Sequence, residues 1–147
     1  MLADSLKILL ATEYAFSLKA QLFHWNVEGP DFAQLHKFFG KLYEEVYNNS
    51  IDRTAEYIRA LGDYAPGSYE RFSELTIIKG QTKIPRARLM IEELLANNTQ
   101  LLDLLNETFA VAEQENQQGI ANFIAERIDA QQKHGWMLRS FLKDERA

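Results

Sequence analysis

The sequence predicts an all-α protein: a bundle of four long helices with one long crossover that carries a short helix. Three observations lead there. Apolar residues recur at helical spacing through four long stretches. The strongest breakers, Gly29-Pro30 and the group Gly62, Pro66, Gly67, Gly80 and Pro85, fall between those stretches. The connections are unequal, two being short and the middle one about 23 residues long.

The first helix is expected from about Leu2 to Val27, with Leu2, Leu6, Leu9, Leu18, Leu22 and Trp25 near one stripe. Gly29-Pro30-Asp31 breaks it, and Pro30 and Asp31 suit the opening of the next helix. The second helix has no internal proline before Leu61 and ends at Gly62. Some 30 residues at 1.5 Å each imply an elongated bundle roughly 45 Å long. Within residues 62–85 one short helical piece is expected near Tyr69 to Leu75. Pro85 suits the first turn of the third helix, which buries Met90, Leu94, Leu101, Leu105 and Ala112. After a polar stretch at Glu115 to Gln118, Ile120, Ile124, Ile128, Leu138 and Leu142 keep a helical period up to the charged tail Lys143 to Ala147. Short turns make the first pair of helices antiparallel, and likewise the last pair. The long middle connection can run the length of the bundle and make helices two and three parallel, which is the ferritin-like wiring. Residues 1–147 read as one domain of this kind.

Bulk properties exclude several classes. A hydrophobic content of 46% with 25% charged residues is that of an ordinary globule. No apolar run approaches the roughly 20 residues of a membrane span, and Asp4, Lys7 and Glu13 interrupt the first apolar stretch where a signal peptide would be continuous. A cytoplasmic location is the resulting expectation, with no membrane partner. With no cysteine, disulfides, thiolate metal sites and cysteine nucleophiles are excluded. The net charge of −5, from 16 basic and 21 acidic residues without a basic cluster, disfavours a polyanion such as DNA.

The side chains able to hold iron or zinc without cysteine are imidazoles and carboxylates. His24 and His36 flank the first turn in H-W-N-V-E-G-P-D-F-A-Q-L-H, and their antiparallel helices let both project toward one patch. Two histidines beside a turn are either hydrogen-bonding structural residues or ligands. Asp52 and Glu56 form an i,i+4 carboxylate pair, which costs roughly 0.2–0.5 kcal/mol on an isolated helix, so a nearby cation would relieve it. That cation is either a metal or an arginine, Arg53 or Arg59. An intra-bundle di-iron site is not expected, because Gln21, Ala33 and Gln131 stand where a Glu-x-x-His motif needs glutamate. His134, without a well-placed acidic partner on its own helix, reads as structural.

The segment K-A-Q-L-F-H-W-N-V-E-G-P-D-F-A-Q-L-H, the later D-R-T-A-E-Y-I-R-A-L-G and K-H-G-W-M-L-R-S-F-L at 133–142 resemble the Dps-type miniferritins, the starvation-induced DNA-protection family. The likeness covers nearly the whole chain. It implies a hollow dodecamer of identical ferritin-like subunits that oxidises Fe(II), usually with hydrogen peroxide, and stores ferric iron inside. It further implies a metal site between two subunits, His24 and His36 from one and Asp52 and Glu56 from its neighbour, where zinc can compete with iron. Trp25 would lie beside that site, as an oxidant trap or an interface packing residue.

Three departures from the family pattern bear on that reading. After His36 the family continues H-E-x-x-D-E or H-E-x-x-D-D, whereas this chain reads H-K-F-F-G-K, with Gly40 in place of a ligand aspartate and Lys37 and Lys41 in place of acids. The alternative function is therefore a cage with a degenerate ferroxidase centre, a structural shell or weak metal buffer in which a lysine neutralises Asp52 and Glu56. The step from His36 to Asp52 is one residue longer than the family's. Sixteen residues place the two about 160° apart on a straight helix, and a single-residue π-bulge would bring them to about 60°. Residues 43–51, Y-E-E-V-Y-N-N-S-I, are where that bulge is expected, and Glu44 or Glu45 could then replace the missing aspartate as a metal ligand. Finally, the family's lysine-rich N-terminal arm has no counterpart among the first twenty residues, so no DNA binding is expected.

Overall fold

Helix α1, Leu2–Asn26, buries Leu2, Leu6, Leu9, Phe16, Ala20 and Phe23 along one stripe, and Val27 extends it past the helix end. Leu18 and Trp25, expected on that stripe, are instead 54% and 64% exposed. The period runs on from Leu9 through position 13 to Phe16, so Leu18 and Trp25 fall on a different face. The residue at position 13 is a glutamate, and it too is buried.

The structure is a computed structural model that describes residues 1–144, so the last three residues of the expected charged tail lie outside the described residues. After α1 come α2, Phe32–Val46, a π-helical turn, Tyr47–Ile51, and α3, Asp52–Ala60, which together form one uninterrupted rod. The π turn lies inside the stretch where the extra residue called for it. A short helix α4, Tyr69–Leu75, stands in the crossover, and α5, Ala87–Gln114, and α6, Gln118–Phe141, complete the bundle. Among the described residues there is no strand, and no helix is long and apolar enough to cross a membrane. Helix α1 packs on α2 and α5, α5 packs on α6, and α4 lies against α1. This is the ferritin-like bundle with one long crossover.

The ends of the helices follow local chemistry. Gly62 has φ +92, and its N–H donates to the Arg59 carbonyl while Asp63 N–H donates to that of Ile58. This is a Schellman cap, in which glycine takes the left-handed position without penalty. Asn116, φ +58, closes α5 in the same way, with Asn116 N–H on Glu113 and Gln117 N–H on Ala112. Pro85 does not enter the first turn of α5. Arg86, with ψ 159, is still extended and serves as the N-cap, so the helix opens only at Ala87.

The two caps give a paired expectation. Gly62→Ala should cost about 1–2 kcal/mol in urea denaturation, the penalty of a left-handed alanine. Asn116→Gly should leave stability unchanged or slightly raised.

Candidate metal centre at the first turn

The turn between α1 and α2 brings His24 and His36 face to face. Their rings stack at 4.0 Å between centroids, inclined by 15°. Each is also tied to the other's backbone: His24 Nδ1 lies 2.5 Å from the His36 carbonyl oxygen, and His36 Nδ1 lies 2.7 Å from that of His24. A carbonyl can only accept, so each Nδ1 must carry a proton and donate it. In the neutral ring the lone pair is then on Nε2, and neither Nε2 has a hydrogen-bond partner among the described residues. A carbonyl behind the imidazole is the arrangement that fixes the tautomer and orientation of metal-ligating histidines. Phe32 stacks on His36 at 5.1 Å and Tyr43 leans on His24 at 5.6 Å.

Gly40 belongs to the same assembly. A Cβ there would stand 2.9 Å from Cε1 and 3.0 Å from Nδ1 of His24. The His24 ring thus fills the space from which any side chain at position 40 would start.

Asp52 and Glu56 are exposed on α3, and neither forms an ion pair among the described residues. The arginines that could have neutralised them are engaged elsewhere. Arg53 reaches Glu126 at 3.3 Å and lies over the Phe123 ring, and Arg59 donates to the Asp63 carbonyl and lies over Tyr64. Within one chain, among the described residues, no three His, Asp or Glu side chains gather closely enough to hold a metal. Within the chain the histidine pair and these two carboxylates are thus separate groups.

Comparison with known proteins places this geometry in a family. The ferritin-like domain model matches residues 3–147. DNA protection during starvation protein 2 of Bacillus anthracis is 30% identical, with 84% of each chain covered. The crystal structure of Dps from Staphylococcus aureus superposes with a TM-score of 0.93 at 29% identity, covering 98% of this chain and 96% of that one. The chain belongs to the Dps-type ferritin-like proteins. DPS from Vibrio cholerae, described as a member of a broad superfamily of ferritin-like diiron-carboxylate proteins, superposes at 0.92 with 28% identity, covering 97% and 89%.

In this Dps chain Glu45 is not available to replace an aspartate beside the histidines. Arg127 grips it with two bonds of 2.6 and 2.8 Å, and His134 Nε2 lies 2.6 Å from its Oε1. Burial alone would raise the Glu45 carboxyl, but these hydrogen bonds outweigh it and hold the group well below the usual carboxylate range. His134 is thereby accounted for as a structural histidine whose acidic partner comes from α2. Glu44 is exposed. Lys37 and Lys41, also exposed, line a cleft toward α6, and neither pairs with a carboxylate among the described residues.

The sequence reading missed a polar layer inside this Dps bundle. Glu13 of α1 is buried; Ser50 Oγ donates to its Oε2, and Thr54 Oγ1 lies 2.9 Å from its Oε1 and 2.9 Å from the Ser50 carbonyl. Thr54 has one proton for two acceptors. Donation from the Ser50 and Thr54 hydroxyls favours the ionised carboxylate, and burial opposes it. Burial prevails and pushes the Glu13 carboxyl up to about 7, against the lowering by the two hydroxyls. A second buried polar set joins Arg127, Gln131 and Asn98. The signal was legible: Glu13 occupies the buried period of α1 where an apolar residue is expected.

A raised carboxyl stabilises the fold below its unfolded value near 4.5 and ceases to do so as pH rises to about 7. Urea denaturation should therefore show stability falling across that window by up to about 3 kcal/mol from this group. Glu13→Gln, neutral at all pH, should remove that share of the slope.

Proposed function

We propose that this Dps-type chain binds Fe(II), oxidises it with hydrogen peroxide and stores ferric iron in a dodecameric cage of identical subunits. The observation that carries this reading is the reciprocal lock of His24 and His36, which leaves both Nε2 atoms without a hydrogen-bond partner among the described residues. The family's description as diiron-carboxylate proteins, attached to the Vibrio cholerae relative, supports iron as the metal.

The missing ligands come from a neighbouring subunit. Asp52 and Glu56 are the unneutralised carboxylates at hand, and with the π turn taking up one residue Asp52 lies about 60° from His36 around the rod. The exposed apolar side chains Leu18, Trp25, Tyr47 and Tyr69 support a covering copy of the chain on this side. The chemistry asks little of the protein. The imidazoles and carboxylates hold Fe(II), the carboxylates favour the harder ferric state, and two iron ions give one electron each to one peroxide, which takes up two protons and leaves as water. Zinc suits the same donors and should compete. Lys37 and Lys41, whose position motivated the reading of a degenerate centre, line the α6 side of α2. The Bacillus anthracis relative is named for DNA protection, yet the net charge of −5 disfavours a polyanion here. No plasmid retention is expected in a gel-shift at low salt.

The test is Fe(II) oxidation by stoichiometric peroxide, followed by ferric absorbance. His36→Ala and Asp52→Ala should each slow it at least about tenfold, the scale of a lost metal ligand. Reassembling equal amounts of the two variants should then restore about one site in four. Half the interfaces pair unlike chains, and one of the two sites in each keeps all four ligands. A mixture no faster than either variant alone would overturn the shared site.

A further inference from the structure

We propose that the cleft between α2 and α6 is a binding site for an amphipathic carboxylate, with an acyl or aromatic body and an anionic head. It is separate from the metal centre and does not depend on it. The cleft has a volume of about 720 Å³, within the range of small-molecule sites. Phe38, Leu42, Ala130 and Met137 line its apolar part. Lys37 and Lys41, one turn apart on α2, and Lys133 on α6 also line it, and none of the three forms an ion pair among the described residues.

The charge balance sets the head group. The cleft also contains two acids, Asp129 and Glu45. Glu45 is neutralised at the inner end by Arg127 and His134. Three lysines thus line the cleft against one unpaired carboxylate, in a chain whose overall charge is −5. Like charges at i and i+4 repel along one helix face, and an anion between Lys37 and Lys41 relieves this. A metal cation is disfavoured by the same lysines. An inorganic anion alone would leave the apolar lining in water, whereas an acyl chain buries it. The pattern of an apolar lining with a few convergent charges is that of a ligand site.

The experiment is calorimetric titration of the assembled protein with dodecanoate, dodecylamine and inorganic phosphate in separate arms. Dodecanoate should bind with about one site per chain, and dodecylamine and phosphate at least about tenfold more weakly. Lys41→Gln with Lys133→Gln should weaken dodecanoate at least about tenfold, and Ala130→Phe, which fills the cleft, should abolish binding. Circular dichroism checks that both variants fold, and Lys37→Gln replaces either one that does not. Equal binding of dodecylamine would mean a nonspecific apolar surface, and equal binding of phosphate a simple anion patch. Either result overturns the proposal, as does dodecanoate binding that ignores the variants or is undetectable at about 1 mM, an affinity near 4 kcal/mol.

Discussion

The hydrogen bonds between the buried carboxyl of Glu13 and the hydroxyls of Ser50 and Thr54 are the constraint on which the rest of the site depends. They span the one place where the second rod departs from α-helical winding, the π turn at Tyr47–Ile51. A π turn winds its backbone through i→i+5 bonds and places one extra residue in the rod. Here a glutamate from the neighbouring helix ties the hydroxyls of Ser50, inside the turn, and Thr54, just beyond it, to the bundle interior. The azimuth of everything beyond the turn follows from it, including Asp52 and Glu56.

Helix α2 carries two distinct side-chain sets on adjacent faces. His36 and Gly40 face α1, where the absence of a side chain at 40 lets the His24 ring lie down on the helix and reach the His36 carbonyl. Lys37 and Lys41 lie one position further round and face α6. The charges of Lys37 and Lys41 therefore fall on a neighbouring cleft and not on the imidazole pair. Glycine at 40 and the close seating of His24 are two aspects of one packing arrangement, since a Cβ and the ring cannot share that space.

Much of this was legible in the residues. Four helical periods and the unequal connections lead to the bundle, and a spacing of one residue too many leads to the π turn. Other features were hidden for physical reasons. Leu18 and Trp25 lie off the buried stripe of α1, which passes through Glu13, and the partners that satisfy that carboxyl come from another helix. Glu45 was a reasonable substitute ligand by position, but its partners, Arg127 and His134, are 82 and 89 residues away in sequence. The mutual lock of the histidines needs the exact crossing of α1 and α2, which no spacing reveals.

The central claim is that two half-sets of ligands, each incomplete in its own chain, meet across a subunit interface. Anomalous diffraction from crystals soaked in zinc tests it most directly. The account requires a metal peak between two chains, bonded to Nε2 of His24 and His36 from one and to carboxylate oxygens of Asp52 and Glu56 from the other. A lysine nitrogen lying between those carboxylates, or histidines facing solvent with no metal near them, would contradict it.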